Sequence, residues 1–293
     1  MTDVAIPRPV TLQGRGRAAE AWRFGKRNPT LVAGLLILSI MAVVALLAPW
    51  ISGDPVTMAP AQRLRRPSEA LWFGSDHLGR DVYARTVYGS RVSLFVGLSV
   101  AAASVAIGLV IGLLAGYFRA FEAVVMRLMD GLMAIPAILL AIALVSLTKA
   151  GVFIVILAIL IPEIPRVVRL VRAVVLSVRE QPYVEAAVAG GARAQKVLLR
   201  HILPATIPPL IVQATYICAH AILIEASLSF LGAGTPPEIP TWGNMIASSR
   251  LYLGRAPWTV FCPGLALALV VLAVNLVGDG LRDRLDPRLA RRM

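Results

Sequence analysis

Cysteine is almost missing from this chain: Cys218 and Cys262 are the only two in 293 residues, and both lie in apolar runs. Two such thiols are packed side chains rather than a disulfide framework or a metal pair. Histidine occurs three times, aromatic residues make up 6% and charged residues only 15%. No glycine-rich phosphate loop ending in Lys-Ser/Thr occurs, and no His-Glu-x-x-His or Gly-x-Ser-x-Gly. These absences exclude a nucleotide site of the P-loop kind, a zinc hydrolase and a serine hydrolase. No catalytic residue, no metal ligand set and no cofactor bound by this chain is expected.

What fills the chain is apolar sequence: mean hydropathy is +0.76 and 58% of residues are hydrophobic. Long uncharged runs at that density give an all-α polytopic membrane protein. The net charge of +13 flanks those runs, so it reads as topology information and not as a nucleic-acid surface. Residues 1–30 form a polar, basic tail, and 31–51 a first span, longer than a signal-peptide core and lacking a small-residue cleavage site. Residues 52–91 form a long polar connection whose stretch Asp81–Tyr88 suits a short interfacial helix. Five further spans are expected near 92–117, 128–148, 151–170, 206–230 and 259–280, making a five-span core over 92–281 with a polar loop at 176–205, then a tail at 282–293. Six spans put both termini on one side. That side carries 20 Lys and Arg against 9 on the other, which places both termini and the 176–205 loop in the cytoplasm.

That loop contains Glu185-Ala186-Ala187-Val188-Ala189-Gly190-Gly191 and then Arg200-His201-Ile202-Leu203-Pro204. At helical spacing Arg193, Lys196 and Arg200 share one face, and Leu198 and Ile202 the opposite one. Two short helices with a bend at Gly190-Gly191 result, closed by Pro182 and Pro204.

Other residues stand out by position. Ser104, Gly108, Gly112 and Gly116 recur every four residues in the second span, a stripe for close helix approach within the bundle or against another subunit. Glu225 sits in mid-span with Ser229 one turn further on; a carboxylate there costs about 2.5–3.5 kcal/mol against lipid. It either belongs to a transport path or its gate, or makes a helix–helix hydrogen bond. His220 reads as a satisfied bundle histidine, and Asp130 as the local ion-pair partner of Arg127. Pro162 and Pro165 interrupt the fourth span, with Glu163 between them. Arg166, Arg169 and Arg172 follow on roughly one face and snorkel to the boundary.

The Glu185–Pro204 stretch resembles the EAA loop of bacterial ABC importer permeases. Phe73-Gly74-Ser75-Asp76-His77-Leu78-Gly79-Arg80-Asp81-Val82, with Arg85 and Gly89, is similar to the extracytoplasmic segment of the dipeptide/oligopeptide permeases of the DppC/OppC type. So are Glu225–Gly232 with Pro240–Asn244, and Asn275–Asp283 with Leu285–Arg288. The likeness covers about residues 31–290; Arg166 and Glu163 depart from it. It implies a multi-pass bacterial inner-membrane permease for di- or oligopeptides, with nickel, haem or aminolevulinate, and glutathione as cargo carried by the same type. It further implies a homologous second permease, two ATP-binding subunits holding ATP and Mg, and an extracytoplasmic substrate-binding protein. On this resemblance Glu185, Ala186, Ala187, Gly191, Arg193, Leu203 and Pro204 contact the ATPase. A secondary transporter working alone is the rival reading; it leaves the EAA-like loop unexplained.

Overall fold

The computed structural model describes residues 28–147 and 151–285. The N-terminal tail before Asn28, Lys149 and the residues after Leu285, including part of the C-terminal motif, lie outside the described residues. Helix α1, Pro29–Ile51, starts with proline at its first position, where a missing N–H is harmless. Its 23 residues reach about 35 Å, enough to cross a hydrocarbon core. Leu36, Leu46 and Trp50 face outward from it.

Helix α2 runs without a break over Val82–Tyr117. The stretch 81–88 is therefore not a separate interfacial helix: it is the first two turns of the second span. Asp81 caps it by accepting from the Tyr83 N–H at 2.9 Å. The expected third span is instead two helices, α3 (Arg119–Ala134) and α4 (Ala137–Ser146), meeting at 86°. Pro136 sits at the corner, where its ring disfavours helical backbone in the residue before it.

Helix α5, Val152–Arg179, passes through Pro162 and Pro165 without interruption, contrary to the expected break. Helix α6, Pro182–Ala189, follows. A short turn, Ala194–Lys196, opens into a wide π-turn at Val197–Ile202 and then into α7, Leu203–Phe230. Pro204 therefore does not close the loop. Ala194 to Phe230 is one helical run of 37 residues, and the wide turn lies just ahead of Pro204, where a regular hydrogen bond is missing. Helix α8, Trp242–Ser249, and α9, Trp258–Leu285, complete the chain.

Among the described residues four helices are long and apolar enough to cross a membrane, five if α3 and α4 count as one bent span. The expected six spans also need α5, which is not among these helices and carries Glu163, Arg166, Arg169, Arg172 and Arg179. The core lies among α2, α5 and α7, where Val96, Val100, Val155, Ile159, Ile217 and Ile222 are buried. Helix α9 lies between α1 and α7. Gly34 faces the Ala273 carbonyl, Gly280 faces Leu31, and Gly278 faces Thr215.

Candidate functional site

The glycine stripe of α2 meets α5 in register. A Cβ at Gly108 would lie 2.5 Å from Val167 Cβ, one at Gly112 2.6 Å from Val171 Cβ, and one at Gly116 2.5 Å from Val175 Cβ. No side chain fits in those gaps, so the stripe is an intrachain seam between α2 and α5. Arg179 closes its end by donating to the Gly116 carbonyl at 3.2 Å.

Helix α5 continues from that seam toward α6, and the loop beyond it is a compact hairpin. The Gly191 N–H donates to the Val188 carbonyl at 2.9 Å and the Ala192 N–H to the Ala187 carbonyl at 3.0 Å. With Gly191 at φ +78°, this is a Schellman ending, which an L side chain would strain. Nothing lies within 4 Å of a Cβ built at Gly191, so its requirement is backbone conformation and not space. Val184, Val197, Leu198 and Ile202 turn inward and are buried. Glu185, Ala186, Arg193, Lys196, Arg200 and Pro204 are exposed, and Ala187 and Leu203 are half-buried. The expected amphipathic split holds. Glu185 makes no ion pair among the described residues.

The polar loops at the opposite end of the bundle are knotted together. Asp76 accepts from the backbone N–H groups of Leu78 and Arg80 and from Arg80 Nε at 2.7 Å, both side chains being buried. Arg80 and Arg85 both reach the carbonyl of Pro237, at 3.4 and 3.1 Å, and Arg85 also reaches that of Pro55 at 3.0 Å. Trp242 donates its indole N–H to the Thr86 carbonyl at 3.0 Å, and Trp258 donates to the Ser75 carbonyl at 3.3 Å. Gly79, at φ +80°, runs so close to the Ala59 carbonyl that a Cβ would sit 1.9 Å from its oxygen. The segment 73–89 is thus a structural knot joining the 52–81 and 231–257 loops. Burial pushes the His77 imidazole below its ordinary range, with Asp76 opposing and Arg80 and Arg63 adding to the shift.

Glu225 of α7 is fully buried beneath this knot. Ser229 Oγ donates to its Oε1 at 2.9 Å, while Oε2 has no hydrogen-bond partner among the described residues. Gly234 and Gly243 let the loop and α8 press onto Ser229 and Ala226; a Cβ at Gly234 would lie 2.0 Å from Ser229 Oγ. Thr241 and Asn244 form a capping box for α8. An open cavity of about 450 Å³ lies alongside, lined by Ser229, Phe230, Thr235, Asn244 and Arg250 among others. Ser229 borders it.

Sequence reasoning missed three cross-helix pairings. Asp130 is held by Arg169 at 2.5 Å and not by Arg127, and Glu122 is held by Arg172. Glu163 is 1% exposed and accepts from Arg166 at 3.2 Å, with His220 Nδ1 at 2.9 Å. The two prolines therefore bracket a buried carboxylate, not a break. The regular arginine spacing on α5 was the visible signal; the acidic partners on α3 lie 39 and 50 residues away in sequence.

Residues 108–291 match the family described as "Binding-protein-dependent transport system inner membrane component", and residues 17–67 match the "N-terminal TM domain of oligopeptide transport permease C". The chain belongs to the binding-protein-dependent transport permease family. Among its relatives is "Probable peptide ABC transporter permease protein y4tQ" of Sinorhizobium fredii, 61% identical over 92% of this chain and 93% of that protein. "Dipeptide transport system permease protein DppC" of Alkalihalophilus pseudofirmus is 41% identical, covering 92% of this permease and 90% of the relative. "Glutathione transport system permease protein GsiD" of Pectobacterium atrosepticum is 40% identical over 92% and 91%.

Proposed function

We propose that this permease carries di- or oligopeptides as one half of the membrane channel of an ATP-driven importer. A homologous permease forms the other half, two ATP-binding subunits supply ATP hydrolysis, and a binding protein delivers cargo from outside. Both termini and α6 lie in the cytoplasm, in line with the 20-to-9 bias of Lys and Arg.

The observation that carries the reading is the hairpin at α6. A polar, exposed surface is built on a buried apolar one, braced by the Schellman turn, and it presents Glu185, Ala186, Arg193 and Lys196 outward. On this reading Glu185, Ala186, Ala187, Gly191, Arg193, Leu203 and Pro204 transmit ATPase movement to α7, and Glu225 with Ser229 belongs to the path or its gate. Peptide cargo is supported by the names of the S. fredii and A. pseudofirmus relatives; the P. atrosepticum relative supports glutathione, itself a small peptide, as a second reading.

The test is co-purification of the ATPases with the tagged permease, followed by uptake of labelled dipeptide into vesicles. ATP-dependent uptake with associated ATPases is expected. Uptake without any ATPase partner would establish the secondary-transporter reading instead.

A further inference from the structure

Helices α5 and α7 carry a polar stripe where their sequence is otherwise apolar. On α7 it comprises Gln213, Tyr216 and His220, spaced three and four apart and therefore on one face. Tyr216 is 49% exposed, and its ring stacks on His220 at 5.7 Å between centroids and 10° between planes. His220 Nδ1 meets Glu163 Oε1 at 2.9 Å, and Glu163 also holds Arg166. Glu163 is buried, whereas the side chains of Arg166 and His220 are 33% and 24% exposed. The stripe continues into an open groove of about 440 Å³ lined by Leu170, Pro208, Val212, Gln213 and Arg282.

Depth decides what this face meets. Arg166 lies fourteen residues into α5, about 21 Å along the helix from Val152. A guanidinium and an imidazole at that depth do not face hydrocarbon, because ionisable groups in spans face protein or water.

The contacts within the cluster say what is left over. Arg166 gives one nitrogen, Nη1, to Glu163, at 3.2 and 3.4 Å to its two oxygens. A guanidinium has five N–H groups, and the others on Arg166 have no acceptor among the described residues. Glu163 cancels the charge of Arg166 and fixes its orientation, leaving an outward fork of donors. Such a fork suits a planar carboxylate.

We propose that Arg166, held by Glu163 and flanked by His220 and Tyr216, lines the cargo path and binds the terminal carboxylate of a passing peptide. This rests on the importer reading. Tyr216 and His220 offer a flat stacked surface beside it for the rest of the peptide. Glu163 is a positioning residue that does not itself touch cargo.

The test uses the assembled transporter in vesicles, with Cys218→Ala and Cys262→Ala as background and Tyr216→Cys as reporter. A small charged thiol reagent should label Tyr216→Cys, while Leu36→Cys, outward on α1, stays unlabelled. Free dipeptide at about ten times its half-protecting concentration should slow the labelling about tenfold. The same dipeptide with an amidated C-terminus should not. Arg166→Gln, made alone and with Glu163→Gln so that no buried carboxylate is left uncompensated, should abolish the protection in both backgrounds. No labelling of Tyr216→Cys, equal protection by both peptides, or protection that survives Arg166→Gln would each overturn the proposal. The importer reading fails separately, on absent ATPases, and the labelling result stands whichever way that falls.

Discussion

Arg85 donates to the carbonyl of Pro237 at 3.1 Å, joining the start of α2 to a loop 152 residues further along the chain. A second donation, to Pro55 at 3.0 Å, brings in the segment after α1. Arg85 is 2% exposed and makes no ion pair among the described residues, so backbone carbonyls satisfy it. Arg85→Met keeps the volume but leaves the Pro55 carbonyl without its partner, while that of Pro237 keeps Arg80. It is expected to destabilise the knot by about 1–3 kcal/mol, with Arg85→Lys intermediate. Limited proteolysis of the 52–81 loop and a detergent melt would measure it.

The α2–α5 seam predicts a compensating pair. Gly112→Ala places a methyl against Val171 and is expected to cost about 1–3 kcal/mol by overpacking. Val171→Ala alone opens a small cavity at the same spot. The double substitution should recover most of the loss, giving a non-additive thermal-melt cycle. Strict additivity would show that the two helices separate on mutation instead of sharing one tight contact.

At Gly191 the expected effect depends on backbone and not on bulk. Gly191→Asn, which tolerates the left-handed region, should assemble with the ATPase subunits nearly as well as wild type. Gly191→Val should cost about 1–2 kcal/mol in the turn and uncouple hydrolysis from uptake while leaving membrane insertion intact. Glu185→Lys, on the exposed face of α6, should weaken ATPase capture directly. Cargo-stimulated ATP hydrolysis in reconstituted vesicles separates these outcomes; wild-type coupling in both Gly191→Val and Glu185→Lys would refute the role given to the hairpin.

For Glu225 the decisive contrast is between Gln and Leu. Glu225→Gln keeps an acceptor for Ser229, now 2.9 Å from Oε1, and removes the charge. Uptake near wild type in the Gln variant would assign Glu225 to helix tying; impaired uptake with normal insertion is expected if its charge serves the path or gate. Glu225→Leu should impair uptake in either case.

The hydrophobic runs, the glycine stripe and the hairpin were legible because each depends on local spacing. A long uncharged run finds α1, four-residue recurrence finds Gly108, Gly112 and Gly116, and helical spacing of Arg193, Lys196 and Arg200 against Leu198 and Ile202 finds the two faces of 192–202. What escaped depends on partners distant in sequence. Arg85 and Arg91 make the start of α2 look like a short interfacial helix apart from the span, yet Arg85 is buried and donates to the carbonyls of Pro55 and Pro237. Pro162 and Pro165 look like breakers, yet α5, packed between α2 and α7, stays helical through them. Asp130 has Arg127 nearby in sequence but meets Arg169.

Acid should loosen the knot through His77, whose imidazole lies below its ordinary range chiefly through burial. A depressed folded value means that the neutral ring is favoured. This contribution to stability is complete above the unfolded value of about 6.5 and is lost as pH falls through the folded one. Melting temperature should therefore drop with acidification more steeply in wild type than in His77→Gln. Parallel curves would remove His77 from the explanation.

The unbroken run from Ala194 to Phe230 has a mechanical consequence. Thirty-seven residues span about 55 Å, so a swing of about 5° at the Ala194 end displaces the Phe230 end by about 5 Å. Glu225 and Ser229 ride near the far tip, and the hairpin grips the near one. The π-turn at Val197–Ile202 lies between the hairpin and the rest of this run, so any movement passed from one to the other goes through it.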